Sequence, residues 1–129
     1  MEKQRNKYYL TVKGKFASLN QYIAACRANK NHANEMKRDA QNEIIGYIYE
    51  QLGRLKIHGK IEINYIYFEP NKKRDLDNIS GWFHKVFQDA LVDAGVIQND
   101  NWHYITGYSD KFFVDNKNPR IEVEIQEVI

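Results

Sequence analysis

Lys72-Lys73-Arg74-Asp75-Leu76-Asp77-Asn78 decides how the rest of the chain is read. Two carboxylates stand two residues apart, with three cations directly before them. An aromatic, alternating run (Ile61 to Phe68) precedes the segment, and a long amphipathic run (Ile79 to Ala94) follows it. In extended chain, residues i and i+2 point the same way, so Asp75 and Asp77 can face one point. Carboxylates that close repel each other unless a positive charge lies between them. A hard divalent cation with oxygen ligands, such as Mg²⁺, meets that need. Lys72, Lys73 and Arg74 suit an anionic partner, above all a phosphate backbone. The plainer reading is that Asp77 or Asn78 caps the following helix and that the basic run is a solvated loop. A third carboxylate at the same place would decide between them.

The 129 residues read as one domain, 1–129, long enough to bury a core. An apolar content of 43% is that of an ordinary globular chain and excludes a disordered one. A net charge of +2 permits nucleic-acid binding without arguing for it, so the placement of the cations matters more than their sum. Cys26 is the only cysteine. It excludes an internal disulfide, suits a reducing compartment, and between Ala25 and Arg27 reads as a buried apolar residue. No cysteine–histidine set suggests structural zinc. No apolar run approaches the ~20 residues of a membrane span, and the charged start, Met1 to Lys7, lacks the apolar stretch of a secretory signal.

Outward from the central segment, Lys60 to Phe68 alternates as a strand, stopped by Glu69-Pro70-Asn71. The stretch from about Asn78 to Ala94 reads as a helix closed by Gly95. Its buried stripe is Ile79, Trp82, Phe83, Val86, Ala90 and Ala94, and Asp77, Gly81, His84, Lys85 and Gln88 gather on another, polar side. Gly81 would let another chain approach closely, and His84 is a candidate general base, although a lone helix histidine reads first as a satisfied surface residue. Tyr8 to Val12 reads as a first strand, Lys13 to about Asn31 as basic, irregular chain, and His32 or Asn34 to about Leu55 as a helix with a stripe of Met36, Ala40, Ile44, Ile48, Leu52 and Leu55. Trp102 to Val114 reads as a strand broken near Gly107 or Ser109-Asp110, and Arg120 to Ile125 as a last strand after a turn at Asp115 to Pro119. The order β-α-β-α-β-β predicts a single-domain α/β (α+β) fold, a mixed sheet covered by two helices. A helix about 25 Å long sets Asp100, after it, at the opposite end from Asp75 and Asp77 unless strand geometry or a second subunit brings them together.

Arg74-Asp75-Leu76-Asp77-Asn78, Lys85, Asp89-Ala90-Leu91, Ala94-Gly95-Val96 and Asn99-Asp100, with Ser18-Leu19-Asn20-Gln21-Tyr22 upstream, resemble the RusA family of Holliday junction resolvases. The resemblance covers nearly the whole chain and is densest from Lys73 to Asp100. It implies a phage- or prophage-encoded endodeoxyribonuclease of the bacterial cytoplasm. This would be a homodimer that uses Mg²⁺, with Mn²⁺ as a substitute, to cut four-way DNA junctions by paired phosphodiester hydrolysis. Carried over by position, the family's metal ligands fall on Asp75, Asp77 and Asp100, and its helical lysine on Lys85. Two departures stand out. Asn99-Asp100 replaces a pair of aspartates, and Lys85 follows Asp77 by eight residues where the better-known members have four, the place of Gly81 here. Lys13, Lys15, Arg27, Lys30, Lys72, Lys73 and Arg74 are the candidate contacts to the DNA backbone, and Trp82, Phe83 and Phe87 read chiefly as core. The departures leave a second expectation, a junction-binding module without catalysis. A third is a metalloenzyme acting on nucleotides, against which the basic segments argue by suiting a polymer.

Overall fold

The computed structural model describes residues 6–128. The chain runs β1 (Lys7–Lys13), α1 (Leu19–Ala28), α2 (Lys30–Leu52), β2 (Lys60–Glu69), α3 (Leu76–Asp93), β3 (Ile105–Val114) and β4 (Arg120–Val128). The strands form one mixed sheet in the order β1-β4-β2-β3. β4 lies antiparallel to both β1 and β2, and β3 runs parallel to β2. β2 and β3 are therefore joined through α3, as parallel neighbours require.

The alternation seen in the sequence sorts the two faces of the sheet. Ile61, Ile63, Tyr65 and Tyr67 of β2, Leu10 and Val12 of β1, and Ile121, Val123 and Ile125 of β4 are buried. They pack with Ile44 and Ile48 of α2 and with Ile79, Trp82, Phe83, Val86, Phe87, Ala90 and Leu91 of α3. The apolar stripes on α2 and α3 thus meet one sheet face to make the core. Burying each large side chain there contributes about 1.5–3 kcal/mol relative to leaving it exposed.

Three helices are present where the sequence predicts two. The extra one, α1, occupies part of the stretch expected to be irregular. It starts with a capping box: Ser18 Oγ accepts from Gln21 N–H at 3.2 Å, and Gln21 Oε1 accepts from Ser18 N–H at 2.8 Å. Asn29 ends α1 and caps α2, its Oδ1 accepting from Asn31 and His32 N–H. No residue of α1 is buried, so Cys26 is exposed rather than part of the core. β3 runs unbroken through Gly107 and Ser109-Asp110, with only a register shift opposite Ile61 and Glu62. Gly95, at φ 79°, follows α3 in the left-handed conformation its position predicts. No helix of the described residues is long and apolar enough to cross a membrane.

Candidate active site

Asp75 and Asp77 stand at the mouth of α3, not on an extended segment. Asp75 is the N-cap residue, yet its side chain makes no capping hydrogen bond. Asp77 follows in the first turn. Both are exposed, and neither enters an ion pair among the described residues. Their charges suit the positive end of the helix dipole, and their oxygens remain free for a ligand.

The loop before them is held firmly. Arg74 grips Glu69 with two bonds, Nε to Oε1 and Nη2 to Oε2, both 2.9 Å. Its Nη1 donates to the Phe16 carbonyl at 2.6 Å. Glu69 is 8% exposed, so this is a largely desolvated, bidentate pair of the strong kind. Asn71 Oδ1 accepts from Lys73 N–H at 3.0 Å, closing a turn. Arg74 is thus engaged within the protein, whereas Lys72 and Lys73 are exposed beside it. The bond to Phe16 draws the exposed Lys15 to the same place. Lys13 joins them, because it pairs with Arg120, which lies opposite Phe68 near the end of β2. A cleft of about 630 Å³ opens beside Asp75, lined also by Glu69, Lys72, Leu76, Ile79 and Phe112 to Val114.

Asp100 lies elsewhere. It is exposed in the loop between α3 and β3 and borders two hollows, one with Gln88, Trp102 and Tyr108, the other with Lys37, Asp89 and Asp93. Asp89 is bonded to Lys37 at 3.2 Å and to Gln41 at 3.1 Å. The 18 residues of α3 put about 27 Å between its ends. Accordingly, no three carboxylate, histidine or cysteine side chains among the described residues gather to hold a metal ion. The donor type, carboxylate oxygen throughout, fits a hard cation. The number of donors at either end of α3 in one chain does not complete such a site.

Between the two ends lies a network with no counterpart in the sequence reading. His84 Nε2 is 2.7 Å from Asp110 Oδ1, and Tyr67 Oη donates to the same oxygen at 2.9 Å. Gln88 Nε2 donates to Tyr65 Oη at 3.2 Å. Burial, reinforced by the charge of Asp110, pushes the Tyr65 and Tyr67 hydroxyls well above their ordinary 10.0. Both stay protonated, Tyr67 as the donor to Asp110 and Tyr65 as the acceptor from Gln88. His84 is satisfied, as expected, but by a strand residue rather than by solvent. Sequence spacing carried no sign of this pairing across 26 residues. The Glu69–Arg74 pair is more nearly visible, as an acid and a base flanking a Pro-Asn turn.

Lys85 is exposed on α3, about 12 Å along the axis from Asp77. Gly81, at the height of the family's lysine, serves packing instead: Leu19 Cδ2 of α1 comes within 3.0 Å of where a Cβ would stand. The close approach expected of another chain at Gly81 is made instead by α1 of the same chain. Arg27 and Lys30 flank the corner between α1 and α2, exposed. Lys13, Lys15, Lys72 and Lys73 converge on the Asp75 end, while Lys85 lies midway and Asp100 at the far end.

An α+β domain with an uncommitted acidic helix mouth ringed by lysines has the surface of a protein that handles phosphate in a polyanion. The sequence as a whole agrees. A family model described as Endodeoxyribonuclease RusA matches residues 2–126, and the chain belongs to that family. It is by membership an endodeoxyribonuclease of the group that resolves Holliday junctions. A comparison with curated proteins gave no match.

Proposed function

We propose that the chain is a homodimeric, Mg²⁺-dependent resolvase of four-way DNA junctions. Each of its two sites would combine Asp75 and Asp77 of one copy with Asp100 of the other. The observation that carries this reading is the placement of the acids at opposite ends of α3, beside a strand, β3, that among the described residues pairs on one side only. An edge strand offers a row of free backbone N–H and C=O groups to a second chain. When two β3 edges pair antiparallel about a two-fold axis, the Val114 end of each lies beside the Ile105 end of the other. Asp75 and Asp77 stand near the first end, Asp100 near the second. The pairing makes the two halves meet twice, in one self-complementary interface.

A divalent ion bound by these carboxylates would supply activation of water and charge stabilisation at the scissile phosphate. The chain's own residues do the rest. Lys15, Lys72 and Lys73 hold backbone phosphates at the acidic mouth and set the register of the DNA. Arg74, locked to Glu69 and Phe16, fixes the loop that presents Asp75. Lys85 and the His84–Asp110 pair sit midway along α3. Lys85 is placed to meet phosphate between the two sites, not at either one. Two sites related by a two-fold match the paired cuts that leave two duplexes.

Complementation tests the divided site. Asp77→Asn and Asp100→Asn proteins are each inactive as homodimers. Mixed one to one, they form heterodimers with one intact and one doubly defective site, so nicking returns to about a quarter of the wild-type level. Those cuts are single, not paired. If the mixture stays inactive although the chains exchange, the acids do not act across copies. A second reading, a junction-binding module without catalysis, draws on Asn99 and Gly81, which stand where the family has an aspartate and a lysine. It expects metal-independent junction binding and no nicking by the wild-type protein, against an immobile junction or a linear duplex.

A further inference from the structure

Resting on that divided site, we infer that Trp102 is the lock between the two copies, its indole seated in the cleft beside Leu76 and Val114 of the other chain. Trp102 is 92% exposed. It does not lie on slack chain. Asn101 Oδ1 accepts from His103 N–H at 2.9 Å, the Asn101 carbonyl accepts from Tyr104 and Ile105 N–H at 3.0 Å, and Tyr104 Oη donates to Gln98 at 3.0 Å. The turn that carries the indole is tied on both sides and holds it out into water. A rigidly presented, almost fully exposed tryptophan is unfavourable for a chain that stays alone, and tryptophan is enriched at the centres of interfaces.

The receiving surface lies at the other end of the same strand. Leu76, Phe113 and Val114 are 57%, 51% and 49% exposed, and with Ile79 and Phe112 they form the apolar wall of the cleft beside Asp75. Trp102 cannot reach this wall in its own chain, because β3 is ten residues long, about 33 Å. In the antiparallel pairing of two β3 edges it arrives there from the partner. Asp100 stands two residues before Trp102, and Asp75 and Leu76 are adjacent. Seating the indole against Leu76 therefore delivers the third carboxylate to the first two. Knob and hole lie at the two ends of one strand, so a two-fold axis satisfies both at once. The ring meets the apolar wall of the cleft, and burial of an aromatic ring supplies area without ordering a flexible side chain.

Intrinsic fluorescence tests this on the unmodified protein, because Trp82 is 1% exposed and acrylamide quenching reports Trp102. Quenching and the emission maximum are followed against protein concentration, beside sedimentation. The expected result is that quenching falls and the emission shifts to the blue over the concentration range in which dimer forms. Trp102→Ala raises the dimerisation midpoint at least about thirtyfold, as loss of an interface hot spot does. Its nicking of dilute protein is lost but recovers when the protein is concentrated. Leu76→Ser, on the receiving side, has the same signature, and Trp102→Phe restores part of the affinity. A dimer whose Trp102 stays fully quenchable overturns the inference. So does quenching relieved only on adding junction DNA, which would make the indole a base-stacking wedge. Failure of this lock leaves complementation between the Asp77→Asn and Asp100→Asn chains intact, whereas failure of the divided site abolishes it.

Discussion

The two ends of α3 are unlike. At its start, a bidentate Arg74–Glu69 pair and an Asn71 turn hold two exposed acids, Asp75 at the rim of a cleft with one apolar wall. At its close, Gly95 turns the chain, and Val96 and Ile97 anchor it in the core. A single acid and an exposed indole then project from the next turn. On the proposed divided site, each end has what the other lacks: one would offer two ligands and a hole, the other one ligand and a knob. If the site is divided in this way, one chain specifies a whole site without containing it. A helix that separates the halves and an edge strand that can pair with itself are enough.

The largest effect is expected from removing an acid at either end. Asp75→Asn, Asp77→Asn and Asp100→Asn are each expected to lower junction nicking more than about 100-fold. Junction binding persists or tightens, because repulsion of phosphate falls. Asp100→Asn cutting at the wild-type rate would leave the first end sufficient by itself. EDTA is expected to have the same effect as the substitutions. The rigidity of the first end is probed by Arg74→Ala, which leaves Glu69 buried without its partner. The expected loss is about 3–5 kcal/mol in denaturant unfolding, much of it recovered when Glu69→Ala is added. An unchanged midpoint would mean that the loop is held by something else.

The network between the ends gives smaller effects. Tyr67→Phe removes a hydrogen bond from Asp110, which keeps that of His84, and is expected to cost about 1 kcal/mol. The buried tyrosines also set the alkaline limit. Their hydroxyls titrate above the ordinary value of 10.0 when folded, so the unfolded chain loses those protons first. Stability is therefore full below pH 10 and falls as pH rises beyond it. Tyr67→Phe shallows that decline in thermal unfolding at alkaline pH. The smallest change is Gly81→Ala. A better helix former gains about 1 kcal/mol, the contact with Leu19 opposes it, and the net shift in stability is expected to stay under about 1 kcal/mol.

Much of this was legible before the structure. β2, α3 and β4 follow from alternation and from a helical stripe, because those elements bury one face each and the periodicity records it. α1 was missed although Leu19, Tyr22, Ile23 and Cys26 stand at helical spacing, because it is only ten residues long and buries none of them fully. It is held by Leu19 over Gly81 and Tyr22 against Trp82, contacts between distant segments. The Ser18–Gln21 capping box was a second local sign of it. Lysines around Asp75 could be proposed from the segment itself, but their convergence with Lys13 and Lys15 depends on sheet register. The engagement of Arg74 with Glu69 and of His84 with Asp110 is tertiary in the same way. The separation of Asp100 follows from helix length alone, and that is why it could be anticipated from spacing.

The unpaired edge of β3 has a consequence for dosage. If each cutting centre needs two chains, then while most chains are single, doubling their number quadruples the assembled form. A nuclease built this way is nearly silent when scarce and turns on steeply as it accumulates. The threshold is set by how well one strand edge finds its own copy, with no separate inhibitor required.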